Sequence, residues 1–299
     1  MHLGNLFSAL LSWLNVRYKG GKWILRIEDL DPQRSKRQYS EMIEDDLNWL
    51  GLDWDEGGLE GTGLAGPYSQ SERTGIYEEY LRRMEETGLI YPCYCTKAEI
   101  TAANAPHAGE FRHLYPGTCL PERLGGTNKS QEKPGRIPSL RIHLPDNNIT
   151  FHDLIYGEQS VNIAKEFGDF TVRRSDGAWA YQLAVVIDDA LMGVTEVVRG
   201  SDLLQSAAVQ IYLHRLLGFK EPEFMHVPLI CNAEGKRLSK RDKDLSMEVL
   251  RQDFTPSGLT GYLAYLAGIL PEPFPISPQS LVTLYHPSAI KRSPAILIQ

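Results

Sequence analysis

The sequence predicts an α/β fold, on three observations from its first 90 residues. Leu3, Leu6, Leu10 and Leu14 recur at helical spacing, so residues 3–17 read as a helix with one apolar face, ended by Gly20-Gly21. Trp23 to Ile27 is a short apolar run of strand length, and the acidic Glu28-Asp29-Leu30-Asp31 follows at its C-terminal end. Gln38 to Leu50 is again amphipathic and stops at Gly51, and Glu72 to Thr87 repeats the pattern up to Gly88. Helix, strand and helix in that order imply a parallel sheet with helices packed on it.

The texture changes near residue 90. From Tyr91 to about Phe167 the chain is rich in Pro, Gly, Asn and Cys, with strand-like pieces such as Ser139–His143, so this stretch reads as an insertion with its own small core. Asp169–Arg174, Thr195–Arg199 and Glu223–Ile230 read as strands, and Trp179–Leu191 and Leu203–Leu217 as helices. The 59 residues after Lys240 are mostly helical in pattern.

Composition narrows the partners. The 299 residues are 42% hydrophobic and 23% charged, an ordinary globular balance, and the net charge of −7 gives no global field that draws in nucleic acid. Any RNA contact therefore falls to local basic patches, with Arg34–Arg37, Arg82–Arg83, Arg173–Arg174 and Lys236–Lys243 as candidates, each of which also reads as a solvated face. No apolar run is long enough to span a membrane. Leu3 to Leu14 is apolar but carries neither a basic leader nor a small-residue cleavage site, so a cytoplasmic protein is expected.

Two short segments carry candidate chemistry. His2-Leu3-Gly4-Asn5 opens the first helix, where free amides and positive potential suit phosphate; by itself the tetrapeptide reads as a helix cap. Lys236-Arg237-Leu238-Ser239-Lys240-Arg241 is a basic loop able to follow charge that develops on a leaving pyrophosphate; by itself it is a solvated turn. Cys93, Cys95 and Cys119 form a third constellation. Three thiolates and one further donor suit tetrahedral zinc, and on spacing alone His113 is the natural fourth ligand, with His107 behind it. Cys231 reads as a core cysteine.

In this order, the first two segments resemble the paired HIGH and KMSKS signatures of class I aminoacyl-tRNA synthetases. Arg26-Ile27-Glu28-Asp29-Leu30-Asp31 is similar to the RIEDLD-type segment of the glutamyl and glutaminyl members. Tyr181-Gln182-Leu183-Ala184, Val186 to Asp189, and Thr195 to Asp202 resemble the same family's second half, so the likeness covers roughly residues 1–245. The loop departs from the pattern: Arg237 stands for the usual first Lys and Arg241 for the final Ser, while Lys240 is kept.

The resemblance implies a Rossmann-type catalytic domain in two halves, 1–90 and 168–245, split by a zinc-bearing insertion at 91–167 and followed by a helical tail at 246–299. It implies that Glu28 binds the α-amino group of glutamate, that Tyr181 hydrogen-bonds the amino acid, and that Arg199 pairs with the side-chain carboxylate. His2, Gly4, Asn5 and Lys240 would handle ATP, whose phosphates carry Mg²⁺. The small glutamyl-queuosine branch carries a Cys-x-Cys…Tyr-x3-Cys pattern that this sequence matches, which makes Tyr115 the implied fourth zinc ligand, with His113 still open.

The implied reaction is activation of glutamate without tRNA, then transfer to queuosine in the anticodon stem-loop of tRNA(Asp), by a monomer. The tail is short for an anticodon-binding domain, which favours that acceptor. The alternatives are a glutamyl-tRNA synthetase fragment that charges tRNA(Glu), and a degenerate paralogue that only binds RNA or nucleotide. In the family the HIGH-like motif follows a first strand, central in the sheet; here that strand is expected to be missing, and with it most of the activity.

Overall fold

The computed structural model describes residues 1–31, 34–104, 114–127, 133, 135–232 and 245–297. In chain order its strands are β1 Ile24–Leu25, β2 Glu56–Gly57, β3 Ile90–Cys93, β4 Ser139–Ile142, β5 Asn148–Asp153, β6 Gly157–Asn162, β7 Phe170–Arg173, β8 Glu196–Gly200, β9 Glu223–Val227, β10 Ile230–Cys231 and β11 Ala295–Ile296. Its helices are α1 Leu3–Tyr18, α2 Arg37–Leu50, α3 Thr74–Glu86, α4 Lys97–Asn104, α5 Ile163–Phe167, α6 Tyr181–Leu191, α7 Ser206–Leu216, α8 Met247–Asp253, α9 Pro256–Ala267 and α10 Pro278–Leu281.

Four strands form the largest sheet, in the order β6-β5-β9-β8. β8 and β9 run parallel in full register from Glu196 opposite Glu223 to Gly200 opposite Val227. β5 joins β9 in parallel at Asp153 opposite Phe224 and folds back on β6 as an antiparallel hairpin. The stretch expected as an insertion, 91–167, thus contributes a hairpin to the same sheet as β8. It also supplies β3 and β4, which with β7 make a separate antiparallel sheet.

β1 pairs in parallel with β2, and Ile27 extends the contact by a bridge to Ser69. The pairing is short because the chain turns sharply at Gly57, whose φ is +92°; a Cβ there would lie 2.1 Å from the Leu25 carbonyl oxygen. Among the described residues β1 and β8 each have a strand partner on one side only. Both line a cleft of about 720 Å³, walled by α1 through Ser12, Asn15, Val16 and Lys19, and by α6 through Tyr181, Val185 and Asp189. No described strand lies between β1 and β8.

Two cores support this frame. One gathers α1, α2 and α9 around Met225, Val227 and Ile230; the other gathers α3, α6 and α7 around Ile142, Phe151 and Phe224. Helix α1 was expected to bury one face, but Leu3, Leu6, Phe7, Leu10, Leu11, Trp13 and Leu14 are all buried, because α9 and the sheet cover it from two sides. The C-terminal segment is helical as its pattern implied, and it adds one unexpected strand, β11, which pairs in parallel with β10. Among the described residues no helix is long and apolar enough to cross a membrane.

Candidate active site

The cleft between β1 and β8 collects three of the predicted site residues. Glu28, Tyr181 and Arg199 all line it, although they are more than 170 residues apart at the extremes of the chain segment that forms it. Strand C-terminal ends position Glu28 and Arg199, the usual location of ligands in open α/β sheets. Tyr181 is the first residue of α6 and is 39% exposed, so it faces the cleft rather than the core.

Arg26 lies behind Glu28. Its Nη1–H donates to Asp189 at 2.7 Å and its Nη2–H to Glu28 at 3.1 Å, and Asp188 lies 3.9 Å from its Nε. Burial alone would lower the Arg26 guanidinium, but the carboxylates of Asp189, Glu28 and Asp188 outweigh burial and raise it. Asp188 is fully buried and accepts from Arg73 Nε at 2.6 Å, Gln70 Nε2 at 2.7 Å and the Tyr77 hydroxyl at 2.9 Å. Asp29 holds the adjoining turn, taking the Ser71 amide at 2.8 Å and its hydroxyl at 2.6 Å.

Arg199 is the opposite case. It donates Nε–H to His226 Nε2 at 3.0 Å, Nη1–H to Gln210 Oε1 at 2.8 Å and Nη2–H to the Leu203 carbonyl at 3.3 Å. All three acceptors are neutral. Burial lowers the guanidinium, against the weaker opposing pull of Tyr181, Asp189 and Glu28. A guanidinium has five N–H donors; these bonds use three, and the Tyr181 hydroxyl also hydrogen-bonds the group. The planar fork of a guanidinium suits the two oxygens of a carboxylate. Of the two arginines in the cleft, Arg26 has its charge offset by three carboxylates, and Arg199 is the one that gains most from an anion.

His2, Gly4 and Asn5 stand at the start of α1 and line an adjoining cavity of about 370 Å³, together with Gly200, Asp202, Leu203 and Ile230. Ser12, Trp23, Val198 and Arg199 line both cavities, so the two are contiguous. His2 caps the helix, and its amide donates to Asn5 Oδ1 at 3.4 Å. Lys240, with the whole basic loop Lys236–Arg241, lies outside the described residues, as do His107 and His113.

The thiols of Cys93, Cys95 and Cys119 converge within 4.8 Å of one another at the end of β3. Cys95 and Cys119 sulfurs are 3.5 Å apart, and the Tyr115 hydroxyl is 3.4 Å from Cys93 and 3.8 Å from Cys95. Zn–S bonds of about 2.3 Å at tetrahedral angles place sulfurs about 3.8 Å apart, so the cluster has the dimensions of a zinc cage. Burial, the hydrogen bond with Cys119 and the neighbouring Cys93 all push the Cys95 thiol up, an electrostatic problem that a divalent cation reverses. Arg141 lies over the Tyr115 ring at 3.8 Å from its centroid and fixes its plane.

The sequence reading missed Arg26, Asp188, Asp189, Asp153 and His226 as parts of the site. Asp153 and His226 are fully buried on β5 and β9, and their side chains join at 2.7 Å. A polar residue inside the apolar Phe224–Val227 run was the one available signal for His226.

Comparison with known proteins agrees with this geometry. The family described as tRNA synthetases class I (E and Q), catalytic domain, matches residues 1–272. A glutamyl-Q tRNA(Asp) synthetase from Nitratidesulfovibrio vulgaris is 45% identical over 298 residues, covering 99% of this chain and 91% of that protein. One from Symbiobacterium thermophilum is 47% identical over 300 residues, covering 98% and 91%. A glutamate–tRNA ligase from Aquifex aeolicus is 37% identical, with 99% of this chain matching 61% of the ligase. Among solved structures, a glutamate tRNA ligase from Elizabethkingia meningosepticum in complex with its amino acid superposes with a TM-score of 0.82 at 29% identity, over 99% of this chain and 64% of that one. The chain belongs to the class I tRNA synthetases of the E and Q type and matches them through their catalytic domain.

Proposed function

We propose that this chain activates glutamate with ATP and transfers the glutamyl group to queuosine at the wobble position of tRNA(Asp). The observation that carries the amino-acid half is Arg199: a buried cation whose hydrogen-bond partners are neutral, in a cleft with Glu28 and Tyr181. Arg199 takes the side-chain carboxylate, Glu28 the α-ammonium, and Tyr181 a hydrogen bond to the amino acid. Glutamine presents one acceptor oxygen and an N–H where the carboxylate has two acceptors, so an N–H meets the guanidinium and selectivity follows.

The adjoining cavity at the start of α1 suits ATP. His2, Gly4, Asn5 and Lys240 bind and orient its phosphates, with Mg²⁺ accompanying the nucleotide. The glutamate α-carboxylate oxygen attacks the α-phosphorus, an O–P bond forms, and pyrophosphate leaves. A ribose or queuosine hydroxyl then attacks the acyl carbon, and AMP leaves. Catalysis is positioning and charge stabilisation, with no covalent bond to the protein. Cys93, Cys95, Cys119 and Tyr115 hold zinc in a closed, structural site. Among the candidate basic patches, Arg173 and Arg174 are already paired with Glu78 and Asp176.

The acceptor half rests on the relatives: two named for tRNA(Asp) are 45% and 47% identical over 91% of their length, above the 37% to 40% of four glutamate–tRNA ligases that the chain covers to 62% or less. Pyrophosphate exchange tests the activation step. Exchange with glutamate in the absence of tRNA, and at least a hundredfold less with glutamine, is the expected result. Equal exchange with both amino acids, or none until tRNA is added, overturns it. No exchange under any condition favours the degenerate paralogue.

A further inference from the structure

We propose that Asp153 and His226 are positioning residues that fix Arg199 in the orientation that accepts a carboxylate. The inference rests on the reading that Arg199 receives the glutamate side chain, and extends it to residues two steps from the substrate.

The chain of bonds runs from β5 through β9 to β8. Asp153 Oδ1 accepts the amides of Ile155 at 3.0 Å and Tyr156 at 2.8 Å. Its Oδ2 accepts the His226 amide at 3.1 Å and the His226 Nδ1–H at 2.7 Å. Burial would raise the Asp153 carboxyl, but the hydrogen bonds from His226, Tyr156 and Ile155 hold it below the usual carboxylate range. It is therefore an anion with all its acceptor sites engaged, and it keeps the imidazole proton on Nδ1.

That choice of tautomer determines the next bond. With the proton on Nδ1, Nε2 has a lone pair and accepts the Arg199 Nε–H. With the proton on Nε2, or on both nitrogens, two donors would face each other 3.0 Å apart. Burial, with the adjacent Arg199, lowers the His226 imidazole and outweighs the upward pull of Asp153 and of the Leu203 backbone, which favours the neutral ring. Phe224 lies nearly parallel to its ring, at 6.0 Å between centroids and an interplanar angle of 12°.

A second brace holds the other end of the guanidinium. Gln182 Oε1 accepts from Gln210 Nε2 at 2.8 Å, which turns Gln210 Oε1 toward Arg199. Arg199 is thus oriented from both sides by neutral acceptors, and each acceptor is oriented by a further group. The carboxylates of Asp189 and Glu28 act on Arg199 through space, without a hydrogen bond to it.

The test uses two substitutions that divide the imidazole between them. In His226→Asn the amide reaches Asp153 but not Arg199; in His226→Gln its oxygen reaches Arg199 but the bond to Asp153 is lost. Steady-state pyrophosphate exchange is measured for both. His226→Asn is expected to raise the KM for glutamate roughly tenfold or more, the loss of one hydrogen bond to a charged group, and to reduce selectivity against glutamine. The KM for ATP and kcat stay within about threefold, and His226→Gln restores most of the glutamate KM. Equal effects of the two substitutions, or a common loss in kcat and in both KM values, overturns the proposal in favour of a merely structural histidine. Nitrogen-15 NMR separates this from failure of the glutamate reading. A protected Arg199 Nε–H that disappears in His226→Asn upholds the positioning even where wild type shows no glutamate exchange. An unprotected Nε–H in wild type overturns it.

Discussion

Arg26, just beyond β1, donates its Nη1–H to Asp189 on α6 at 2.7 Å and so ties the two walls of the cleft together. Behind that bond, Asp188 collects Arg73, Gln70 and Tyr77 in a site that is closed to solvent. The Arg73–Asp188 pair has side-chain exposures of 1% and 0%, and removing one partner leaves a buried charge unpaired. Asp188→Ala is expected to cost about 3–5 kcal/mol of stability. Thermal melting checks this; a loss no larger than that of an exposed pair such as Arg37–Glu41 would show that the cluster is not structural.

Stability should also depend on pH through two buried histidines. Burial lowers the imidazoles of His214 and His226 below the ordinary histidine range. The unfolded chain then binds more protons than the folded one below about pH 6.5, so this part of the stability is fully present above that pH and is lost as pH falls. Melting temperature is expected to be level between pH 7 and 8 and to decline from pH 6.5 to 5.5. His214→Leu should flatten part of the decline. A melting temperature that rises on acidification contradicts the sign.

One zinc per chain is expected from the thiol cluster. Elemental analysis of purified protein should find it in wild type and lose it in a Cys93→Ala/Cys95→Ala double substitution. Tyr115→Phe tests the fourth ligand: the Tyr115 hydroxyl lies within reach of two sulfurs. Metal lost in Tyr115→Phe and retained in His113→Ala assigns the tyrosine; the reverse outcome assigns the histidine.

Much of this was legible in the sequence because it is local. Helix α2 spans Arg37–Leu50, against an expected 38–50, since its apolar spacing and Gly51 act within one element. Glu28, Tyr181 and Arg199 were legible through ordered motifs, and the fold brings them to one cleft. The hairpin β5–β6 was hidden in a Pro- and Gly-rich stretch. Its signal was the alternation that buries Ile149, Phe151 and Asp153, and the charged Asp153 broke the apolar pattern. Strand β11 was invisible because its partner β10 lies far back in the chain. The Asp188 cluster depends on bonds spanning 111 to 118 residues, which no local pattern encodes.

The central claim is tested most directly by following radiolabelled glutamate into purified tRNA. Incorporation into queuosine-containing tRNA(Asp), absent from the same tRNA lacking queuosine and from tRNA(Glu), is the predicted result. Label at the 3′ end of tRNA(Glu), with none in tRNA(Asp), would contradict the account and assign the chain to glutamate–tRNA ligation.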